Sequence, residues 1–492
     1  AQGLPAFGRQ SNGNPASMLT PGFVQSTFIV ASSVTGLALW VGRESGALSH
    51  DTPRSPEFRR FQRLYLSVYL IAMFSDWLQG PYVYALYESY GYTPEDNALL
   101  FVVGYGSSMI FGTMVGSLAD RMGRRKATLI YCLSYVVHNL TKHVRHFGVL
   151  MVGRLMGGIS TSILFSVFDS WLVCEHHKRG FDPKLLEETF SWAVFGNSVV
   201  AILAGFVAEL AADFRGLKAL DAPFDNIYLG GYCSPFDVSL VMLLVCAVMI
   251  QMLWTENYSG SHEAGVDEAA RKVPPVRRQL AALRAGLSTV AGDAGILYCG
   301  VACACYEAAM FIFIFQWTPA LVEKGAPEPP YGLVFATFMI PCMLGSRVFS
   351  GVAKILRPAK FGQLTLALAL FSHVVPVLVD DPSVRFIAFL GFEFSVGMYF
   401  PLMGTLKSEL VPEESRATIY NIYRVPMNFM VLLMLRTKSG PGAAFALTSA
   451  MLGAGLLAMR KLTTVQSDGR WVKRSQFNLI EAEEIGKIEE AA

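Results

Sequence analysis

Charge is scarce in this chain of 492 residues. Asp, Glu, Lys and Arg together make up 16% of it, and the net charge is +2. An average soluble domain carries roughly 25%. So little charge of either sign excludes proteins that recruit polyanions through a global field, and no nucleic-acid partner is expected. The eight cysteines contain no CxxC pair and read as small buried hydrophobes, so no disulfide framework is expected. His138, His143, His146, His176 and His177 offer no i, i+4 pair backed by acids, so neither a metal nor a cofactor is expected. Walker A, HExxH and GxSxG elements are missing, so there is no sign of ATP hydrolysis or peptidase chemistry; the chain does not read as an enzyme.

Apolar residues are what the chain has in excess. Hydrophobic residues are 53% of it, and the mean hydropathy is +0.41. Twelve membrane-crossing helices would use roughly 240–300 residues and leave room for loops. Apolar runs predict spans at 22–42, 64–87, 97–118, 127–145, 148–173, 189–212, 236–254, 294–321, 331–353, 361–379, 384–406, 417–436 and 441–460. Ten-residue alternation is absent, so these are helices and not barrel strands. The reading is an all-α integral membrane protein whose partner is the lipid bilayer. It has two six-helix bundles, at 61–255 and 294–461, plus an extra helix in the N-terminal segment 1–60. That first span begins late and lacks a preceding basic run, so it is read as retained rather than as a cleaved leader. Residues 256–293 read as a linker with a surface-lying helix near Arg278–Leu287, and 462–492 as a tail.

Lysine and arginine alternate from loop to loop. Arg54, Arg59, Arg60 and Arg63 precede the first core span; Arg121, Arg124, Arg125 and Lys126 follow the second; Lys178 and Arg179 follow the fourth. The linker and the tail continue the series, which places them, and the C-terminus, in the cytoplasm, with the plasma membrane as the expected location. One turn breaks the rule. Lys142, Arg145 and His146 are basic on the opposite side.

Gly116–Lys126, GSLADRMGRRK, resembles the signature between the second and third helices of the major facilitator superfamily, and Arg154-Leu-Met-Gly157-Gly158 is similar to a second motif of that superfamily. More narrowly, Asp76-Trp-Leu-Gln-Gly-Pro-Tyr82 with Tyr84, Gly153-Arg154 to Trp171, Phe313 to Pro319, Tyr399-Phe-Pro401 and Asn421 to Pro426 resemble the molybdate-anion transporter family. The resemblance covers about residues 61–461. It implies a major-facilitator fold and uptake of molybdate, a tetrahedral dianion, by alternating access. Sulfate, another oxyanion or an organic acid is the alternative cargo, and an anion sensor without transport is the alternative activity.

A charged side chain inside a span costs roughly 2.5–3.5 kcal/mol on the insertion scale, so each needs a partner or a watery cavity. Asn421, Arg424 and Asn428 share one helix face beside Pro426 and predict a substrate wall, because guanidinium forks match oxyanion geometry. Arg154 predicts either an anion contact or an ion pair with an acid. Gln79 and Tyr82, on the same side as Asp76, offer donors to an oxyanion. No span reads as carrying a mid-membrane lysine. A carboxylate beside a dianion must be protonated or paired. Asp76, Asp169, Glu307 and Glu393 are therefore expected either to carry coupled protons or to pair with Arg154, Arg347 or Arg424. Asp120, Arg121, Arg124 and Arg125 read as a gate latch at a tight turn, or as a topogenic basic loop.

Overall fold

The protein is described from a computed structural model covering residues 19–44, 54–258, 275–322, 328–352, 355–412, 416–436 and 440–467. Within these ranges the side chains of Asp120, Arg121 and Asn421 lie outside the described set. Helix α1, Pro21–Glu44, comes first. The first half follows as α2 (Pro56–Trp77), α3 (Val83–Ser89), α4 (Pro94–Met122), α5 (Arg124–Thr141), α6 (Phe147–Leu164), α7 (Val167–Lys178), α8 (Pro183–Phe214) and α9 (Ser234–Leu253). Helix α10, Pro275–Gly292, leads to the second half: α11 (Ala294–Leu321), α12 (Tyr331–Val352), α13 (Pro358–Leu378), α14 (Pro382–Leu410), α15 (Arg416–Arg436) and α16 (Pro441–Ser467). A two-residue hairpin, β1 (Lys218–Ala219) with β2 (Tyr228–Leu229), lies between α8 and α9.

Local chemistry sets the helix starts. Ser55 caps Phe58 N ahead of Pro56, Thr93 and Asp96 form a capping box ahead of Pro94, and Asp293 and Asp381 cap α11 and α14. Two expected spans are each broken in the middle. The run 64–87 stops at Trp77, where Gly80-Pro81 forces a turn before α3, and 148–173 divides at Phe165–Ser166 into α6 and α7. Described helices of the first half carry no proline past their first turn. In the second half, Pro319, Pro341, Pro376, Pro401 and Pro426 each sit inside a helix. Each removes one ladder hydrogen bond and loosens its helix there.

Eight described helical stretches are long and apolar enough to cross a membrane on their own sequence. Helices α2, α5 and α15 fall short because α2 carries Arg60, Arg63 and Asp76, α5 opens on Arg124-Arg125-Lys126 and ends near buried His138 and Asn139, and α15 carries Arg424; the cost of the polar groups that are buried is met by packing between helices. Two clusters centre on one half each, and a third joins the halves around Tyr84, Phe101 and Phe315. Of the first two, one centres on Phe58, Phe61, Tyr65, Phe168, Trp171 and Trp254, the other on Tyr306, Phe313, Phe338, Phe389 and Tyr399. Helix α10 rests on α15, where a Cβ on Gly286 would come within 2.8 Å of Thr418 Cγ2. Helix α1 lies against α8 and α12, with Phe28 edge-on to Phe206 at 4.8 Å. It therefore covers one side of the seam between the halves.

The end of the bundle that carries Arg124, Arg125, Lys178 and Arg179 is called here the basic end, and its opposite the far end.

Candidate functional site

The first wall of the seam is set by glycines. A Cβ on Gly158 would lie 1.8 Å from Ser107 Oγ and 2.5 Å from the Gly104 carbonyl. On Gly157 it would meet His138 Nδ1 at 2.6 Å, and on Gly153 it would meet Thr141 Oγ1 at 1.9 Å. Helix α6 therefore lies backbone to backbone on α4 and close against the His138 and Thr141 side chains of α5, and Arg154 is delivered into the half's interior. Its Cζ lies 4.2 Å from the centre of the Phe101 ring and 5.3 Å from that of Tyr87. Its Nε and one terminal nitrogen are buried without a hydrogen-bond partner among the described residues. Among the described residues no acid pairs with it.

Asp76 instead accepts a hydrogen bond from Tyr135, whose hydroxyl also lies 3.2 Å from Thr161 Oγ1. The expected stripe of Asp76, Gln79 and Tyr82 does not form, because α2 ends at Trp77. Gln79 donates to the Ser75 carbonyl (3.1 Å) and to Ser239 Oγ (3.3 Å), tying α2 to α9. Tyr82 turns to the far end and donates to Glu209 Oε2 at 2.7 Å. Asp169 accepts from Tyr65 at 3.2 Å, beside the stacked Trp171 and Trp254.

On the opposite wall, Glu307 Oε1 accepts from Tyr399 (3.1 Å), Cys303 (3.1 Å) and Lys407 (3.4 Å). Lys407 Nζ also lies 5.3 Å from the centre of the Tyr420 ring. The sequence reading did not anticipate this lysine, because its span was expected to stop at 406 and α14 runs one turn further. Asn428 donates to Met109 Sδ of α4 at 2.7 Å, so that face of α15 looks across the seam. Arg424, one turn nearer the basic end on the same face, is exposed and makes no hydrogen bond or ion pair with a described residue. Glu393 is buried on α14 and likewise has no such partner among the described residues. The two halves mirror each other here. Gly397 packs on the Cys342 carbonyl as Gly158 packs on that of Gly104, and four residues earlier stands Glu393 in one half and Arg154 in the other.

At the basic end, Gly123 turns the chain with φ +101°, and a Cβ there would lie 2.4 Å from Glu256 Cδ. Glu256 accepts from the Arg125 backbone N–H (2.9 Å), Arg125 donates to the Gln251 carbonyl (3.0 Å), and the Arg124 N–H donates to that of Asn257 (3.0 Å). The described part of the expected latch thus binds within its own half. Glu256, read as linker, is its anchor.

The halves meet at the far end. Glu209 Oε2 accepts the N–H groups of Gly332 (2.6 Å) and Leu333 (3.3 Å) at the start of α12, where the helix dipole favours a carboxylate. Phe315 packs on Tyr84 and Phe101, Phe311 packs on Tyr105, and Tyr232 donates to Glu328. This is a seam sealed at one end.

A family model described as sugar transporters with twelve transmembrane segments matches residues 23–398. The molybdate-anion transporter of Takifugu rubripes is 32% identical over 479 residues, covering 90% of this chain and 96% of that one. Its namesake from Xenopus laevis is 32% identical over 451 residues, covering 87% and 93%. The chain belongs to the molybdate-anion transporter family of the major facilitator superfamily. A D-xylose–proton symporter shares the fold of this family member with a TM-score of 0.61 at 14% identity, covering 83% of this chain and 97% of the other. A peptide transporter solved with sulfate gives 0.62 at 14% identity, covering 84% and 95%.

The turn after α5 is pinned by an ion pair, His143 Nε2 to Asp237 Oδ1 at 3.0 Å. Burial pulls the His143 imidazole down, but Asp237, Cys233 and the Tyr228 carbonyl outweigh it and lift its pKa to about 10. A raised folded pKa means the pair's stabilisation is complete below the unfolded value of about 6.5 and is lost as pH rises through the folded one. Because Asp237 is 50% exposed, the contribution is only ~1 kcal/mol. Asp237→Asn is expected to lower Tm at pH 6, with the gap closing above pH 10. A gap of constant size in thermal melts across that range refutes the charge pairing.

Proposed function

We propose that this member of the family takes up molybdate, or a closely related oxyanion, by alternating access, as a secondary transporter in the plasma membrane with its basic end and C-terminus in the cytoplasm. The observation that carries the anionic cargo is Arg154, a guanidinium with two buried nitrogens that no described residue satisfies. A sugar site has no use for an unpaired cation. An oxyanion supplies both the counter-charge and the acceptors, and the planar fork suits a tetrahedral oxyanion. Arg424, on the facing wall and free of described partners, offers a second contact, with Asn421 and Asn428 beside it. The names of the vertebrate relatives support the cargo, and the alternation of basic loops supports the orientation. In the same reading, Asp120 and Arg121 latch the basic end when it closes, on the base that Glu256 gives to Arg124 and Arg125.

Moving a dianion into a negative interior costs roughly 2.3 kcal/mol per charge per 100 mV, so accumulation needs about two co-transported protons. Glu393 is the first candidate carrier, because it is buried without a partner among the described residues and stands where the other half has Arg154. Asp76, with one tyrosine hydroxyl, is the second. Glu307 is engaged by Lys407 and Asp169 by Tyr65, which fits them less well to the task. Uptake of labelled molybdate by cells expressing the chain, with sulfate as competitor, tests the cargo. The expected results are saturable uptake that rises as external pH falls, and a flattened pH response in Glu393→Gln. Uptake indistinguishable from that of empty cells would refute the cargo, and uptake blind to both pH gradient and potential would refute the coupling.

A further inference from the structure

Lys142 is the residue whose position defied the loop-charge pattern, and it does not sit in the loop as a topogenic charge. It is fully buried at the end of α5, its backbone carbonyl accepting from Tyr90 and its side chain directed into the first half. Its Nζ donates to the Tyr87 hydroxyl at 2.6 Å and lies 5.0 Å from that ring's centre. Since the hydroxyl stands at the ring's edge, the ammonium sits off the phenol tip. Arg154 Cζ is 5.3 Å from the same ring centre. Two cations thus flank one tyrosine in the interior of a membrane protein, and no described carboxylate pairs with either. Asp237 is taken by His143, and Glu88, next to Tyr87 in the chain, is exposed. The groups that surround the pair are Tyr87 and Tyr90, Phe101 and Tyr105, His138, and the Cys233 thiol. His138 is engaged at Nδ1 by the Gly153 carbonyl (2.6 Å), and Cys233 Sγ lies 3.3 Å from the Tyr90 hydroxyl.

An unpaired buried cation costs several kcal/mol and two like charges close together cost more, so burial and the neighbouring Arg154 press the Lys142 ammonium towards its neutral form until a ligand brings counter-charge. Such a pair is retained when a ligand supplies the missing charge. A dianion neutralises both cations at once, whereas a monoanion leaves one uncompensated and a neutral solute leaves both.

We propose that Lys142, Arg154 and the Tyr87 hydroxyl form a dianion subsite on the first half, and that Lys142 is the residue that makes it select doubly charged tetrahedral oxyanions over monoanions. This rests on the oxyanion reading above and names the side chains that would hold the cargo's charge. In the far-end-sealed state the subsite lies behind Phe101 and Phe315, which stack across the seam with ring centres 5.4 Å apart. A bound dianion would therefore be shielded from the far side, where it strengthens each contact by excluding water.

The test uses the full-length protein purified in detergent, with Lys142→Met as the main variant. Methionine keeps the unbranched stem and removes only the charge. The probes are sodium molybdate, sulfate and nitrate at constant ionic strength, read as the shift in Tm, together with molybdate uptake in sealed vesicles. For the wild type, a Tm rise with molybdate and none with nitrate is expected. Lys142→Met without anion should melt at or above the wild-type temperature, lose the molybdate shift, and take up molybdate with a KM raised at least tenfold. Tyr87→Phe should weaken the shift partly, and Lys360→Gln, an exposed lysine at the basic end, should leave it intact. If Lys142→Met keeps the wild-type shift and KM, or yields no folded protein, the ammonium is structural and the subsite is refuted. If the wild type responds to sulfate but not to molybdate and Lys142→Met abolishes that response, the subsite stands and the molybdate reading falls.

Discussion

Replacing Arg424 by alanine is expected to abolish oxyanion uptake while leaving the amount and the Tm of the protein in the membrane unchanged. The two halves of this expectation come from the same observation. Arg424 is exposed on the seam face of α15 and makes no described hydrogen bond or ion pair, so its removal breaks nothing that holds the fold. Pro426, two residues on, already denies α15 a ladder hydrogen bond at that level. Truncating one partner of a hydrogen-bonded charge pair costs roughly 2–5 kcal/mol, a loss of at least about thirtyfold in binding. Arg424→Lys keeps the charge but not the fork, and is expected to recover only part of the affinity. Labelled-molybdate uptake normalised to surface protein reads both variants. Normal uptake by Arg424→Ala removes the second wall from the site and leaves Arg154 to carry the anion by itself. A loss of folded protein instead assigns Arg424 a structural partner.

Much of the architecture was legible in the residues. The apolar runs between 294 and 460 anticipate the six helices of the second half to within a few residues at most ends, because capping aspartates and first-turn prolines mark the starts. Gly104, Ser108 and Gly112 recur every four residues on α4, and α6 lies on that ridge, with Ser108 and Ser162 hydroxyls 3.2 Å apart. Gly80-Pro81 was also visible as a breaker, yet the hydrophobic count carried the span through it. That one error moved Gln79 and Tyr82 onto the wrong face.

Other features could not be read locally. Lys142 looks like a loop cation by position, and only the packing of α3 beside α5 shows that it points inward. Glu256 reads as the first residue of a linker until Gly123 brings the next turn against it. Lys407 sits one turn past an apolar run, and its pairing with Glu307 joins two helices that are 100 residues apart in sequence. In each case the deciding contact is between elements distant in the chain. Periodicity reports which face of a helix is apolar, but it does not report which neighbour that face meets.

Gly205→Leu is expected to stop transport by preventing the far end from closing. Gly205 and Gly332 stand where α8 of one half crosses α12 of the other. A Cβ on Gly205 would lie 2.6 Å from the Gly332 carbonyl and 2.9 Å from Ala336 Cβ, and a Cβ on Gly332 would lie 2.4 Å from the Gly205 carbonyl. The obstruction is backbone, which does not yield as a side-chain tip does, so a leucine there must part the helices. Parting them also pulls Glu209 from the Gly332 and Leu333 N–H groups and from Tyr82, so the whole seal fails together. Alternating access needs both states within reach of each other, and a bias of about 5.5 kcal/mol is enough to turn a 1:99 equilibrium into 99:1. A clash between two backbones at this separation, added to the lost hydrogen bonds, is of that order. Phe335, buried just inside the seal against Trp77 and Gly80, provides the reporter. A cysteine at 335 should be silent to a membrane-impermeant maleimide in the parent protein and should react in the Gly205→Leu background. Gly453→Leu, at a helical glycine with open space around it, is the control and is expected to transport normally. Wild-type uptake by Gly205→Leu, or a reporter that stays silent while uptake is lost, would show that the α8–α12 crossing is not the part that moves.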